Sequence, residues 1–214
     1  MAADLSDRLR IDPLGDRALL VRLPDQAAIL GLAGALLPRL AAGALADVVP
    51  GDGSLLITFD GTEAGEAEAR AAVEAALAGP AVLPPPREQR IPVRYGGADG
   101  PDLDEVARLT GLTATAVVAA HAGATHTVRF LGFAPGFPYL GGLPAALEVP
   151  RLATPRTVTP AGSVAIATTF TGIYPAPLPG GWRIIGRTDV ALFDPRRDPP
   201  TLLRPGDRVR FEPA

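Results

Sequence analysis

The chain has 214 residues, 47% of them hydrophobic and 20% charged, with a formal net charge of -3 and a sequence pI near 5.4. That suits one large or two small domains with a real core; no basic patch argues for nucleic acid, and no apolar run nears the ~20 residues needed to span a membrane. Cysteine is absent and all 20 basic residues are arginine, which excludes disulfides, thiolate catalysis, a Schiff base, a lysine-dependent phosphate loop and covalent biotin on this chain.

In chain order, Met1 to Asp7 lacks the basic and apolar stretches of a signal peptide, so a cytoplasmic location is expected. Ala18 to Leu23 is a strand candidate, entered by the Gly15-Asp16 turn. Asp25 caps a predicted helix over 26–42, which Pro38 should kink or interrupt. A strand near 45–49, the turn Pro50-Gly51-Asp52-Gly53 and a strand over 55–59 follow. Thr62 caps an Ala/Glu-rich helix ending at Gly79. A strand over 88–94 would complete β-α-β-β-α-β, the order of a ferredoxin-like split βαβ domain. The proline-rich segment 79–87 cannot continue a helix, and it sets the boundary between domains 1–86 and 87–214.

Beyond the seam, Asp102 and Thr113 are expected to cap short helices near 103–109 and 114–121. His121 ends the second, where a partly positive imidazole would suit the helix dipole. From Thr125 onward only short strands fit between Gly/Pro turns: 126–131, 163–168, 182–186 and 207–212. Such spacing predicts a closed or nearly closed β-barrel, so the fold class is α+β.

The densest signal lies in 130–188, where glycine, proline and aromatics alternate with little charge until Arg183 and Arg187. It predicts a concave apolar wall set with a few polar groups. In a strand over 182–188, Trp182, Ile184, Gly186 and Thr188 would share one face, and Arg183, Ile185 and Arg187 the other. Arg187, beside Gly186, can present its planar fork to a carboxylate, phosphate or carbonyl. Arg151 and Arg156 could join an anion site or tie loops together. Ser163 is not in a G-x-S-x-G elbow, so a hydroxyl at a pocket mouth is expected rather than a hydrolase triad. Two histidines without cysteine make a metal centre unexpected.

The motifs G-F-A-P-G-F-P-Y-L-G-G-L-P (132–144), P-R (155–156), P-A-G-S-V-A-I (160–166), T-G-I-Y-P (171–175), P-G-G-W (179–182), I-G-R-T (185–188), L-F-D-P (192–195) and L-L-R-P-G-D-R-V-R-F (202–211), with weaker matches at 15–20 and 50–56, resemble the B subunit family of bacterial 5-oxoprolinase. The same family is labelled allophanate hydrolase subunit 1 and KipI-type histidine-kinase inhibitor. The resemblance implies that the C-terminal domain is a cyclophilin-like barrel. It also implies pairing with a homologous C subunit and work with an A subunit, opening 5-oxoproline to glutamate with ATP used by the complex. A similar two-part architecture occurs in the carboxyltransferase domain of urea amidolyase, where the biotin is carried elsewhere.

On that basis Arg187, Thr188, Ser163 and His121 are the catalytic candidates, and Tyr139, Trp182, Phe170, Thr171 and Arg156 the substrate-binding ones. Two residues depart from the family pattern: Phe170 stands where glutamine is usual, and His126 where tyrosine is. The alternatives are a carboxyltransferase-type subunit acting on a urea-like amide, and a regulatory inhibitor of a sensor kinase.

Overall fold

The computed structural model describes residues 9–43, 45–79 and 85–214; the leader reading at Met1 to Asp7 and the centre of the proline seam lie outside them. The chain divides into two compact units, Met1–Pro85 and Pro86–Ala214.

The first unit runs β1 (Arg10–Pro13), β2 (Ala18–Arg22), α1 (Gln26–Ala41), β3 (Asp47–Pro50), β4 (Ser54–Thr58) and α2 (Glu63–Ala78). The sheet order is β1-β2-β4-β3, antiparallel throughout. Helix α1 therefore carries the chain from β2 to β3 with β4 between them, which is the split βαβ expected. The fourth strand is not the one expected. The segment 88–94 belongs to the other unit, and Arg10–Pro13 takes the sheet position beside β2.

Alternation puts Leu19 and Val21 of β2 and Leu55 and Ile57 of β4 on one buried face, where Ile29, Leu32 and Leu36 of α1 meet them at helical spacing. Asp25 and Thr62 cap their helices by accepting the amides of Ala27 at 3.0 Å and Gly65 at 3.0 Å. Pro38 does not interrupt α1; it sits in the last turn and the helix runs on to Ala41.

The second unit runs β5 (Glu88–Tyr95), α3 (Leu103–Thr110), α4 (Ala114–Gly123), β6 (His126–Leu131), β7 (Pro138–Gly141), β8 (Arg156–Thr159), β9 (Ser163–Ala167), β10 (Phe170–Ile173), β11 (Leu178–Gly180), β12 (Arg183–Arg187) and β13 (Arg208–Pro213). Seven strands close a cyclophilin-like barrel in the order β10-β7-β6-β13-β5-β12-β9, and β8 pairs with β11 in a separate ribbon. Closure leaves the barrel no unpaired edge. Its interior holds Ile91, Val93, Val128, Leu140, Val164, Ile166, Ile185 and Phe211, all buried. A second cluster, with Phe137, Ala165, Tyr174, Trp182 and Ile184, packs on the other face of β9 and β12. Among the described residues no helix is long and apolar enough to cross a membrane.

Candidate functional site

The geometry of the site begins with a bulge. Strand β12 shifts register against β9 between Ile184 and Gly186, so two consecutive residues lose strict alternation. Ile185 turns into the barrel, while Ile184 and Arg187 line one external groove. The expected alternation, with Arg187 on the Ile185 side, is therefore corrected. Gly186 permits the close strand approach here: a Cβ would lie 2.6 Å from Val93 Cγ1 and 2.8 Å from the Arg94 carbonyl oxygen.

This first groove holds about 190 Å³ and is bordered by Asp99, Arg156, Val158, Ser163, Ile184 and Arg187. Cross-strand pairing places Arg187 opposite Ser163 of β9 on one side and opposite Arg94 of β5 on the other. Two arginines facing each other repel. Arg94 is compensated: its Nε donates to Asp99 at 2.9 Å, and its two terminal nitrogens donate to Asp189 at 2.7 and 3.2 Å. That contact holds the Asp189 carboxyl below its ordinary range. Arg187 has no hydrogen bond or ion pair among the described residues, and its Nε is shielded from solvent without a partner. A shielded Nε without a partner carries a desolvation cost, while the terminal nitrogens of Arg187 stay open to a ligand in the groove.

Thr188 falls at the rim of an adjoining groove of about 300 Å³ that Arg187 also borders. Its hydroxyl accepts the Val190 amide at 3.2 Å, and its own amide donates to the Gly162 carbonyl at 2.9 Å. Gly162 has φ +79°, and a Cβ there would lie 2.1 Å from the Thr188 carbonyl oxygen; the glycine of P-A-G-S is thus required to seat Thr188 and Ser163 against each other.

Arg156 is not a free ligand-binding group. Its Nη2 donates to Asp102 Oδ1 at 2.6 Å, and Asp102 Oδ2 accepts the Ile184 amide at 2.7 Å. Asp102 stands at the start of α3 but makes no side-chain cap; it ties the start of β8 to β12 instead. The loop-tying role of Arg156 thus prevails over the substrate-binding one.

Tyr139 and Trp182 line a different groove, of about 220 Å³, together with Phe133, Phe137, Tyr174 and the exposed Arg151. It shares no lining residue with the Arg187 groove. The β8–β11 ribbon borders both: Arg156 and Val158 of β8 face the first, Pro179 and Gly180 of β11 the second. Burial pushes the Tyr139 and Tyr174 phenols up, with Arg151 pulling in the opposite direction, so both stay neutral donors. Phe133, on the lip, is 59% exposed and has φ +69°, a conformation that bulky residues seldom adopt. Phe170 lies beside this groove, its ring edge-on to Tyr139 at 5.8 Å and to Phe130 at 6.2 Å.

His121 and Thr171 line none of these three grooves. Both are fully buried, and His121 lies 2.9 Å from Thr171 Oγ1 through Nε2 and 2.8 Å from the Tyr95 hydroxyl through Nδ1. Thr171 donates to the Ala165 carbonyl at 3.1 Å. That fixes the direction of the chain: Tyr95 O–H donates to Nδ1, and Nε2–H donates to Thr171. His126 donates its Nε2–H to the His121 carbonyl at 3.0 Å. Burial first, and then the repulsion that two protonated rings would feel so close to His126, hold His121 well below the usual imidazole range. The partly positive imidazole expected at the end of α4 is thus overturned: His121 is neutral and stacked on Phe211 at 4.6 Å.

Sequence reasoning missed Arg94, Asp99 and Asp189. Of these four charged residues only Arg187 carried a motif signal, and the residues that set its charge environment come from β5 and two turns.

A family model described as the carboxyltransferase domain, subdomain C and D, matches residues 9–203. The chain is similar to the B subunit of 5-oxoprolinase from Escherichia coli O157:H7, 56% identical over 133 residues, 62% of this chain and 61% of that protein. More than a third of that relative therefore lies outside the match. Among solved structures, TTHA0988 is 42% identical with a TM-score of 0.80, covering 92% of this chain and 40% of that one. The conserved uncharacterized protein PH0987 from Pyrococcus horikoshii is 37% identical with a TM-score of 0.58, covering 96% and 97% of the two chains.

Proposed function

The chain belongs to the family of carboxyltransferase domains with subdomains C and D, and on that premise we propose that it is one component of an ATP-dependent 5-oxoprolinase, converting 5-oxo-L-proline to L-glutamate and inactive alone. The observation that carries this reading is its likeness to proteins named as the B subunit of 5-oxoprolinase. The unpaired Arg187 beside Ser163 supports it, because lactam activation places negative charge on an amide oxygen.

In the proposed reaction the lactam oxygen takes the γ-phosphoryl group of ATP and ADP leaves. Water attacks the activated carbon, the C–N bond breaks, and the nitrogen takes a proton to become the amine. The resulting acyl phosphate reacts with a second water to give glutamate and phosphate. Arg187 neutralises charge on the activated oxygen, and the Ser163 hydroxyl donates a hydrogen bond to it. Thr188 positions the turn that follows. Without lysine this chain has no lysine-bearing phosphate loop, so ATP is assigned to the assembled complex.

The partners proposed are a homologous C-type subunit and an A-type subunit. We assign the aromatic groove, with Tyr139, Trp182 and the exposed Phe133, to the wall that a partner closes, since exposed aromatics around a concave patch mark interaction surfaces. The test is a steady-state assay with ATP and 5-oxoproline. Glutamate should form with the three-component mixture and not with this chain alone. Equal rates for both would overturn the shared-site reading, and no glutamate from the mixture would overturn the substrate.

A further inference from the structure

Arg187 is the only catalytic candidate that carries charge, and its availability depends on two carboxylates that could quench it. Asp99 borders the same groove as Arg187. Asp189 borders the adjoining groove, which Arg187 also lines, and lies close enough for the guanidinium of Arg187 to lower its acidity range further. Either could pair with an arginine fork. Neither does so with Arg187, because Arg94 holds both through three contacts of 2.7 to 3.2 Å.

The register makes the competition direct. Arg94 and Arg187 are cross-strand partners on β5 and β12, so their side chains leave adjacent strands at the same level. Two arginines and two aspartates form a neutral cluster, but the bonding is one-sided. Arg94 takes both acids, and Arg187 takes none. Its Nε is shielded and unpartnered. The fold requires no such bias: exposed ion pairs contribute little to stability, and Asp189 is 79% exposed.

We propose that Arg94 is a positioning residue that keeps Arg187 free for an anionic or oxyanionic ligand by holding Asp99 and Asp189 away from it. This assignment rests on the 5-oxoprolinase reading only for the identity of that ligand. Removing the Arg94 charge leaves one cation facing two carboxylates, and Arg187 then becomes their partner.

The test does not need activity. Arginine-specific labelling of the full chain with phenylglyoxal, followed residue by residue by peptide mass spectrometry, reads the freedom of the Arg187 guanidinium. In the unmodified sequence Arg187 should react faster than Arg156 and Arg183, which are tied to Asp102 and Glu105. Arg94→Gln should slow Arg187 labelling at least fivefold. Adding Asp99→Asn and Asp189→Asn to that variant should restore the original rate, which a merely structural role for Arg94 would not do. Arg94→Lys, the mildest change, should give an intermediate rate, since a point charge cannot hold two acids in the fork geometry. An Arg187 rate that Arg94→Gln and Arg94→Lys leave unchanged, or that the added asparagines fail to restore, overturns the proposal. Turnover measured on the assembled complex adds a separate reading: with glutamate formation established, kcat should follow the labelling rates across the same variants. An inactive mixture with the expected labelling pattern overturns the substrate and leaves the role of Arg94 standing.

Discussion

Asp102 and Arg156 form the part-buried tie that joins the first residue of β8 to strand β12, at 2.6 Å. The same carboxylate accepts the Ile184 amide through its other oxygen, so both of its oxygens are in use. The side chain of Asp102 is 9% exposed and that of Arg156 is 28% exposed. Asp102→Ala should therefore strand a main-chain donor and a half-buried cation together. We expect a loss of about 2–4 kcal/mol in unfolding free energy. Arg156→Met, which retains an apolar stem but leaves the carboxylate its amide partner, should cost less. Urea denaturation of the two variants checks the order, and an Asp102→Ala loss under about 1 kcal/mol would contradict the tie.

Acid should weaken the barrel before it protonates the surface carboxylates. His121 and His126 are buried and held below their ordinary range by desolvation, and the groups facing them are Tyr95, Thr171, Phe211 and each other, none of them charged. The unfolded chain binds protons on both imidazoles below about pH 6.5, whereas the native chain does not. Stability contributed by the neutral pair is thus present above that pH and lost as pH falls through it. Each histidine contributes a slope of up to about 1.4 kcal/mol per pH unit. Melting temperature measured from pH 7.5 to 5 should fall steadily below pH 6.5; a flat profile to pH 5 would show that the imidazoles are not excluded from protons.

The sequence exposed the barrel well and the site only in part, for a physical reason. Strands such as β5 and β9 are long enough, and apolar enough, to announce themselves. Strands β7, β8, β10 and β11 are three or four residues long, and Pro138, Gly172, Pro179 and Gly180 within them look like turn signals. The split βαβ was legible because α1 and α2 carry caps at Asp25 and Thr62. Its outer strand was not, because Arg10–Pro13 has no apolar alternation and 88–94 does. At the site, Arg187 and Ser163 could be named from their motifs and prove to be neighbours. Their separation from Tyr139 and Trp182 could not, since it depends on a ribbon whose strands were unread and on a bulge at Ile185 that no residue pattern marks.

Phe170 offers a test of how the aromatic groove relates to activity. Its ring packs edge-on against Tyr139 and Phe130 and is partly buried. The family resemblance implies glutamine at this place, and an amide can orient a substrate carbonyl where a phenyl ring cannot. Phe170→Gln should raise 5-oxoproline-dependent ATP hydrolysis in the reconstituted complex, with a melting temperature lowered by a few degrees at most because the site is not fully enclosed. A large drop in melting temperature without gain in activity would mean that the ring serves packing alone.

The last prediction concerns Arg187 itself. A lysine in its place keeps the charge and loses the fork that can hold two oxygens at once. The backbone need not change: Gly186 and Gly162 provide the close strand contacts, and the Arg187 side chain makes no hydrogen bond that the fold depends on among the described residues. Arg187→Lys should therefore melt within about 2 °C of the parent chain, since substitutions that break no packing or pairing seldom exceed ~0.5 kcal/mol. Turnover of the assembled complex should fall at least about tenfold, equivalent to ~1.4 kcal/mol of transition-state stabilisation. The loss should lie mainly in kcat, because charge on the amide oxygen develops after binding. A rise in KM with kcat unchanged would place Arg187 in ground-state binding instead. Full activity would remove it from the chemistry.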